Sequence, residues 1–442
     1  MSTQPLEDLF TLLRFASVST DSAHDGATRA AAEWLRTKLE GMGLRATLHE
    51  TPGHPVVVAK NEHKPGRQTV LLYGHYDVQP AEPLEEWRTP AFEPVVVDGR
   101  IFCRGATDNK GQLMAHVCGL ERTLKEQGEL PVNLTILFEG EEEIGSPNLK
   151  PFLEAHKEEL ACDVVAISDT GMVAPGVGTF TYGLRGIACC EVVVRGPSID
   201  LHSGIFGGAV ANPATMVSKL VASLHDLNGR VQIDGFYDSV RPLADWEREA
   251  WKKLGGSDAE TLALTGSPGL FGEAGFTDLE RRWARPTAEV NGIGGGYQGE
   301  GSKTVIGKSA FAKLSFRLVP DQDPDEILKK VQAHLQKQQL PGVTVEVQMG
   351  HVGQAYLMDP MSARGQAAQR ALEKTFGSPP ALIREGGSIP IVQAFKDVLG
   401  VDTLLLGLAL PDCQAHAPNE NFPVANFEAG MLLNRHLLEA LA

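Results

Sequence analysis

Up to about residue 180, short apolar runs alternate with stretches of helical periodicity, and each apolar run ends near a cluster of polar residues. Residues 69–73, 132–138 and 163–167 read as strands. Residues 27–42, 110–127 and 149–159 read as helices, because their apolar positions recur at helical spacing. Strands alternating with helices imply a parallel-type sheet covered on both faces, since each crossover lays a helix against it. In such sheets ligands gather at the carboxyl ends of the strands. The polar clusters fall at those ends.

The pattern changes near residue 182. Residues 187–195 alternate, 213–224 are helical, and a long irregular stretch follows. Residues 310–318 alternate again, with Phe311, Lys313, Ser315 and Arg317 on one face. Residues 325–338 then read as a helix and 343–349 as a strand, with a further strand expected before residue 310. This order predicts a small α+β domain with its helices on one sheet face. From about residue 387 the first style returns: a helix, an apolar run at 403–408, a polar loop and a helix at 427–441. The expected organisation is an α/β domain with a mixed, mostly parallel sheet covered by helices. It is built from residues 1–182 and 387–442, and residues 183–386 form an inserted α+β domain.

A chain of 442 residues is long enough for two domains. Its 56 acidic against 40 basic residues give a net charge of −16, which argues against nucleic acid or an anionic membrane as partner. Glu7 and Asp8 stand where a signal peptide would carry positive charge, and no apolar core segment follows them. No run approaches the roughly 20 apolar residues of a membrane span. The six cysteines show no CxxC spacing and sit mostly in apolar runs, which predicts reduced thiols and a cytoplasmic protein.

Five polar clusters carry the candidate chemistry: Gly74–Asp77, Ala106–Gly111, Glu139–Ser146, Ser168–Thr170 and Ala415–Ala417. Together they offer two histidines and several carboxylates, a donor set suited to zinc, manganese or cobalt. Asp77, two residues after His75, suits the carboxylate that fixes a ligating imidazole through its second ring nitrogen. The set exceeds the needs of one ion, and a carboxylate bridging two ions uses it better. Singly, such strings also occur as turns and solvated loops. Their joint placement at strand ends is the informative feature. The chain has no HExxH, GxSxG or Walker-type string, and the glycine run at 292–296 reads as a loop.

The strings GHYDVQP (74–80), RGATDNKG (104–111), EGEEEIGS (139–146), ISDT (167–170), YGLRG (182–186), DLHSGIFGG (200–208), REGGSIP (384–390) and AHAPNE (415–420) occur in that order along the chain. In them the sequence resembles the two-metal peptidases that include cytosolic nonspecific dipeptidase, carnosinase and glutamate carboxypeptidase, and most of all their dipeptidase branch. The resemblance implies an aminopeptidase-like catalytic domain and an inserted lid that dimerises the chain. It implies that His75 and Asp169 hold one divalent ion, Glu143 and His416 a second, and Asp108 both. Zn²⁺ is the first choice, with Mn²⁺ or Co²⁺ as alternatives. Glu142 becomes the general base, Asp77 the partner of His75, and Glu141 a bystander. His202 becomes an oxyanion donor delivered across a homodimer. Thr304, Arg317, His351, Glu385, Gly387 and Ser388 become substrate contacts, with Arg317 pairing with a free peptide carboxylate. The implied reaction is hydrolysis of dipeptides or small peptides by an activated water, and an N-acyl-amino-acid deacylase is the nearest rival. Thr170-Gly171-Met172 departs from the more aromatic segment of animal dipeptidases, which bears on side-chain preference.

Overall fold

The computed structural model describes residues 4–255, 258–387 and 389–442. The chain divides into two compact units: Met1–Tyr182, Met358–Ile383 and Ile391–Ala442 in the first, Gly183–Leu357 and Arg384–Pro390 in the second.

The sheet of the first unit runs in the order Arg45–His49, Val56–Lys60, Asn133–Glu139, Thr69–His75, Val164–Ile167, Thr403–Gly407, Thr179–Leu184. Its four central strands, from Asn133–Glu139 to Thr403–Gly407, are parallel, and antiparallel strands close both edges. The central strands are buried almost throughout, which accounts for their continuous rather than alternating apolar runs. The helix Lys110–Gln127 packs against the C-terminal helix Val424–Leu441. Gly119 makes that approach possible, since a Cβ there would lie 2.6 Å from the Met431 carbonyl oxygen. Lys110–Gln127 ends at Gly128, whose left-handed φ of 80° caps it.

The second unit holds a four-stranded antiparallel sheet in the order Thr287–Gly295, Ser309–Leu318, Gly186–Arg195, Thr344–Gly353. Alternate residues of its strands (Ala188, Cys190, Val192, Val194 on one; Ala310 to Leu318 on another) face the helices Pro213–Ala222 and Pro324–Lys337 in one apolar core. Asn212 and Asp323 cap those helices through their side chains, each followed by a proline that begins the helix. The other sheet face carries the Lys313–Glu191 ion pair and Arg317.

Both architectures match the expectation of a mostly parallel α/β sheet with a second, α+β unit. Three details differ. The chain returns to the first unit at Met358, well before residue 387, because the helix Ala363–Phe376 packs on Val424–Leu441. The stretch read as irregular contains the helices Asp245–Lys253, Asp258–Thr265 and Asp278–Ala284. Only Glu247 and Trp251 of the first are buried, and most of its residues are charged, so it offers few apolar positions to read. The glycine run at 292–296 is mostly strand, because Thr287–Gly295 pairs along its length with Ser309–Leu318. No described helix is long and apolar enough to cross a membrane.

Candidate metal centre

The first unit brings five candidate ligands together. His75 is the last residue of Thr69–His75, Asp169 follows Val164–Ile167, and Asp108 precedes the helix Lys110–Gln127. Glu143 lies in the turn Glu142–Ile144 after Asn133–Glu139. His416 lies in the loop after Thr403–Gly407 and adopts a left-handed φ of 62°. Two triads form, His75/Asp108/Asp169 and Asp108/Glu143/His416, with the ligand atoms of each within 4.8 Å of one another. Asp108 belongs to both. Its Oδ1 lies 3.1 Å from His75 Nε2 and its Oδ2 lies 2.9 Å from His416 Nε2.

Three of the ligands are held from behind. His75 is fully buried, and its Nδ1 lies 3.3 Å from the Asp77 carboxylate and 3.1 Å from the Asp77 carbonyl oxygen. That contact leaves Nε2 facing the triad. The Asp77 carboxylate also accepts hydrogen bonds from the backbone N–H groups of Glu142 and Glu143 and from Ser19 Oγ. One carboxylate therefore orients a histidine and the acidic turn together. Asn109 Nδ2 donates to Asp169 Oδ1 at 2.7 Å, and Gln79 Nε2 donates to Glu143 Oε2 at 2.8 Å.

The acidic triplet diverges as its turn requires. Glu141 is buried and points away, accepting from Asn148 Nδ2 and from the His54 backbone N–H. Glu142 is half-buried beside the triads. Burial, then the neighbouring Asp169, Asp108 and Glu143, push its carboxyl well above the usual range despite the opposing pull of His75.

This arrangement is short of positive charge. Burial, with Asp108 and Glu143 close by, moves Asp169 up to about 6. Hydrogen bonds to Asp108 and Glu143 raise His416 to about 10. Glu143 Oε1 is buried without a hydrogen-bond partner. Two imidazoles, three carboxylates and an orphaned carboxylate oxygen fit a pair of divalent cations sharing Asp108.

The remaining candidates lie in the second unit. Exposed His202 stands on the two-residue strand Leu201–His202, paired with Val305–Ile306. Its Nδ1 accepts from the Gly204 N–H at 3.0 Å, which makes Nε2 the proton-bearing nitrogen. Thr304 is adjacent, its carbonyl accepting from the Ser203 N–H. Arg317 sits on the open face of the sheet, and exposed His351 places Nε2 3.4 Å from Cys189 Sγ. The Glu385 carbonyl accepts from the Arg185 N–H, and Gly387 borders open space. Ser388 lies outside the described residues.

Sequence reasoning passed over Gln79, Asn109 and Arg185, although each stands inside a string it singled out. Burial, and then the charge of Arg317, hold the Arg185 guanidinium down to about 10. Spacing marked these strings, but only geometry shows which ligand an amide supports.

Residues 71–440 match peptidase family M20/M25/M40. The chain belongs to this family. Cys-Gly metallodipeptidase DUG1 of Saccharomyces cerevisiae is 36% identical over 404 residues, which is 89% of this chain and 84% of that protein. Beta-Ala-His dipeptidase of Homo sapiens is 32% identical over 390 residues, 86% of this chain and 76% of that one. Among solved structures, an M20 family metallo-carboxypeptidase from Sulfolobus solfataricus superposes with a TM-score of 0.87 at 34% identity, covering 99% of both chains. The chain is thus a metallopeptidase of the M20 family, and its similar curated relatives include proteins named as dipeptidases.

Proposed function

We propose that this protein is a cytoplasmic dipeptidase that hydrolyses the peptide bond of dipeptides or similar small peptides with two divalent ions. The observation that carries the proposal is the pair of ligand triads sharing Asp108 beside the Glu142 carboxyl. In this reading His75 and Asp169 would hold one ion, Glu143 and His416 would hold the other, and Asp108 would serve both. Zn²⁺ is the first choice, with Mn²⁺ or Co²⁺ as alternatives. When bound, such ions polarise a carbonyl and lower the pKa of an attacking water.

The chain's own residues do the rest. Asp77 keeps the His75 ring in place and, through two backbone N–H groups, fixes the turn that presents Glu142. Glu142 takes a proton from the water as it attacks the scissile carbonyl carbon, and passes that proton to the leaving amine as the C–N bond breaks. His202 donates from Nε2 to the oxygen that gains negative charge. Arg317 pairs with the free carboxylate of the substrate, and Arg185 adds to the same positive field. Thr304, His351, Glu385, Gly387 and Ser388 complete the substrate contacts.

The second unit also supports a homodimer. Ile199, Ile205 and Phe206, which flank His202, are 64%, 70% and 40% exposed, an apolar display suited to a second copy of the chain. The six free cysteines are in keeping with a reducing compartment.

A substrate panel tests the proposal: free dipeptides, the matching dipeptide amides, tripeptides and N-acyl amino acids. Dipeptides are expected to be cut fastest and their amides poorly, and Arg317→Ala is expected to narrow that gap. Hydrolysis of N-acyl amino acids alone would identify a deacylase. Preference for longer peptides would favour the carboxypeptidase activity named for the Sulfolobus solfataricus protein.

A further inference from the structure

Glu420 closes the string Ala415–Glu420, four residues after His416, and has no part in the mechanism above. It is fully buried, yet its carboxylate accepts four hydrogen bonds. Oε1 accepts from the backbone N–H groups of Thr107 at 2.8 Å and Asp108 at 3.0 Å. Oε2 accepts from the Gly105 N–H at 2.9 Å and from Arg104 Nη1 at 2.8 Å. Four donors use the whole acceptor capacity of a carboxylate, and the Arg104 charge offsets its burial. Arg104 is itself buried, and its Nη2 donates to the Pro80 carbonyl oxygen at 3.0 Å. The Glu420 carbonyl accepts from the Cys103 N–H, and Thr107 Oγ1 donates to the Asn421 carbonyl.

These bonds join three ligand-bearing segments. One follows His75 and reaches Pro80, one runs from Arg104 to Asp108, and one carries His416. A carboxylate aimed at the backbone N–H of Asp108 fixes the peptide from which that side chain springs. Asp108 is the residue common to both triads. The uncharged isostere does not do the same. Glutamine offers one oxygen and turns an NH₂ group against N–H donors, leaving at least two of them unpaired.

We infer that Glu420 is a positioning residue for the metal centre: with Arg104 it locks the Asp108 backbone to the His416 loop and so sets both metal sites at once. This rests on the two-ion reading above. It adds a residue whose loss weakens the two ions together, whereas Gln79 and Asn109 each support a ligand of one site only.

The test is a Co²⁺ titration of the full-length, metal-free chain, followed by visible absorption and by competition with a chelator. Wild type and Glu420→Gln are compared. Wild type is expected to take up two ions. Glu420→Gln is expected to bind both about 10–100-fold more weakly, as for other outer partners of metal ligands. Its Co²⁺ bands should shift, and at saturating metal kcat should fall while KM stays near wild type. Glu420→Gln with wild-type affinities and an unchanged spectrum overturns the inference, whatever its Tm, because the residue then only stabilises the fold. A loss confined to one ion overturns it too. Should the variant fail to fold, amide exchange in wild type decides. The Thr107 and Asp108 amides are expected to stay protected in the metal-free protein, and exchange at the rate of exposed loops contradicts the lock. Wild type that binds no Co²⁺ overturns the two-ion reading itself, and this inference with it.

Discussion

In the first unit His75, Asp169 and Glu143 each have a hydrogen-bonding partner behind them; in the second, several of the residues expected to meet substrate stand exposed. His75 is gripped by Asp77, Asp169 by Asn109 and Glu143 by Gln79. His202, Thr304 and His351 are exposed, and the His202 ring accepts a hydrogen bond from its own loop, through the Gly204 N–H. The difference teaches where each kind of chemistry is prepared. A centre that must hold ions in fixed geometry is preorganised by buried bonds already present in the chain. Residues that recognise a transient group can stand open to solvent until it arrives. Substitutions in the first unit should therefore alter metal binding or the chemical step, and those in the second should alter turnover or selectivity with metal content intact.

The largest effect is expected at the acidic turn. Glu142→Gln should keep its metal and lose roughly 10²–10⁴-fold in kcat, the usual contribution of a general base. Glu141→Gln should do little, because Glu141 turns away toward Asn148 and His54. Steady-state kinetics with metal analysis checks both. A metal-replete but inactive Glu141→Gln would move the base by one residue.

His202→Ala sharpens the other side of the comparison. Loss of an oxyanion donor should lower kcat by roughly 10²–10³-fold, with metal content and KM changed far less. Mixing His202→Ala with Glu142→Gln chains should then restore one working site per heterodimer. Absence of recovery despite demonstrated subunit exchange would exclude action across a dimer.

A smaller effect is expected at Gln79. Gln79→Leu removes the amide that donates to Glu143, and metal affinity should fall about 10–100-fold. Competition with a chelator should show the loss at one ion of the two. Equal weakening of both would blur the contrast with Glu420.

Much of this is legible in the sequence alone. Apolar runs ending at Tyr73, Phe138 and Ile167 give away the parallel sheet, because buried strands must be apolar and their carboxyl ends must turn. The ligand residues were readable because each lies in a dense polar string just beyond a strand. Less legible was anything fixed by the packing of remote segments. The early return at Met358 depends on how the helix Ala363–Phe376 meets the C-terminal helix, and no local pattern announces that. The helix Asp278–Ala284 was missed although Thr277 and Glu280 form a readable capping box. Gln79 and Asn109 were in view as letters, but an amide between two polar neighbours does not say which one it serves.

The central claim is that the two triads sharing Asp108 make one two-ion catalytic centre. Its most direct test is to strip the wild-type chain with a chelator and add back Zn²⁺, Mn²⁺ or Co²⁺ in steps, measuring bound metal and dipeptide hydrolysis on the same samples. The account predicts no turnover without metal, binding that saturates at two ions per chain, and activity that rises with occupancy. It also predicts that occupancy falls at acid pH, since protons compete for the ligands. Full turnover in the metal-free chain would contradict it.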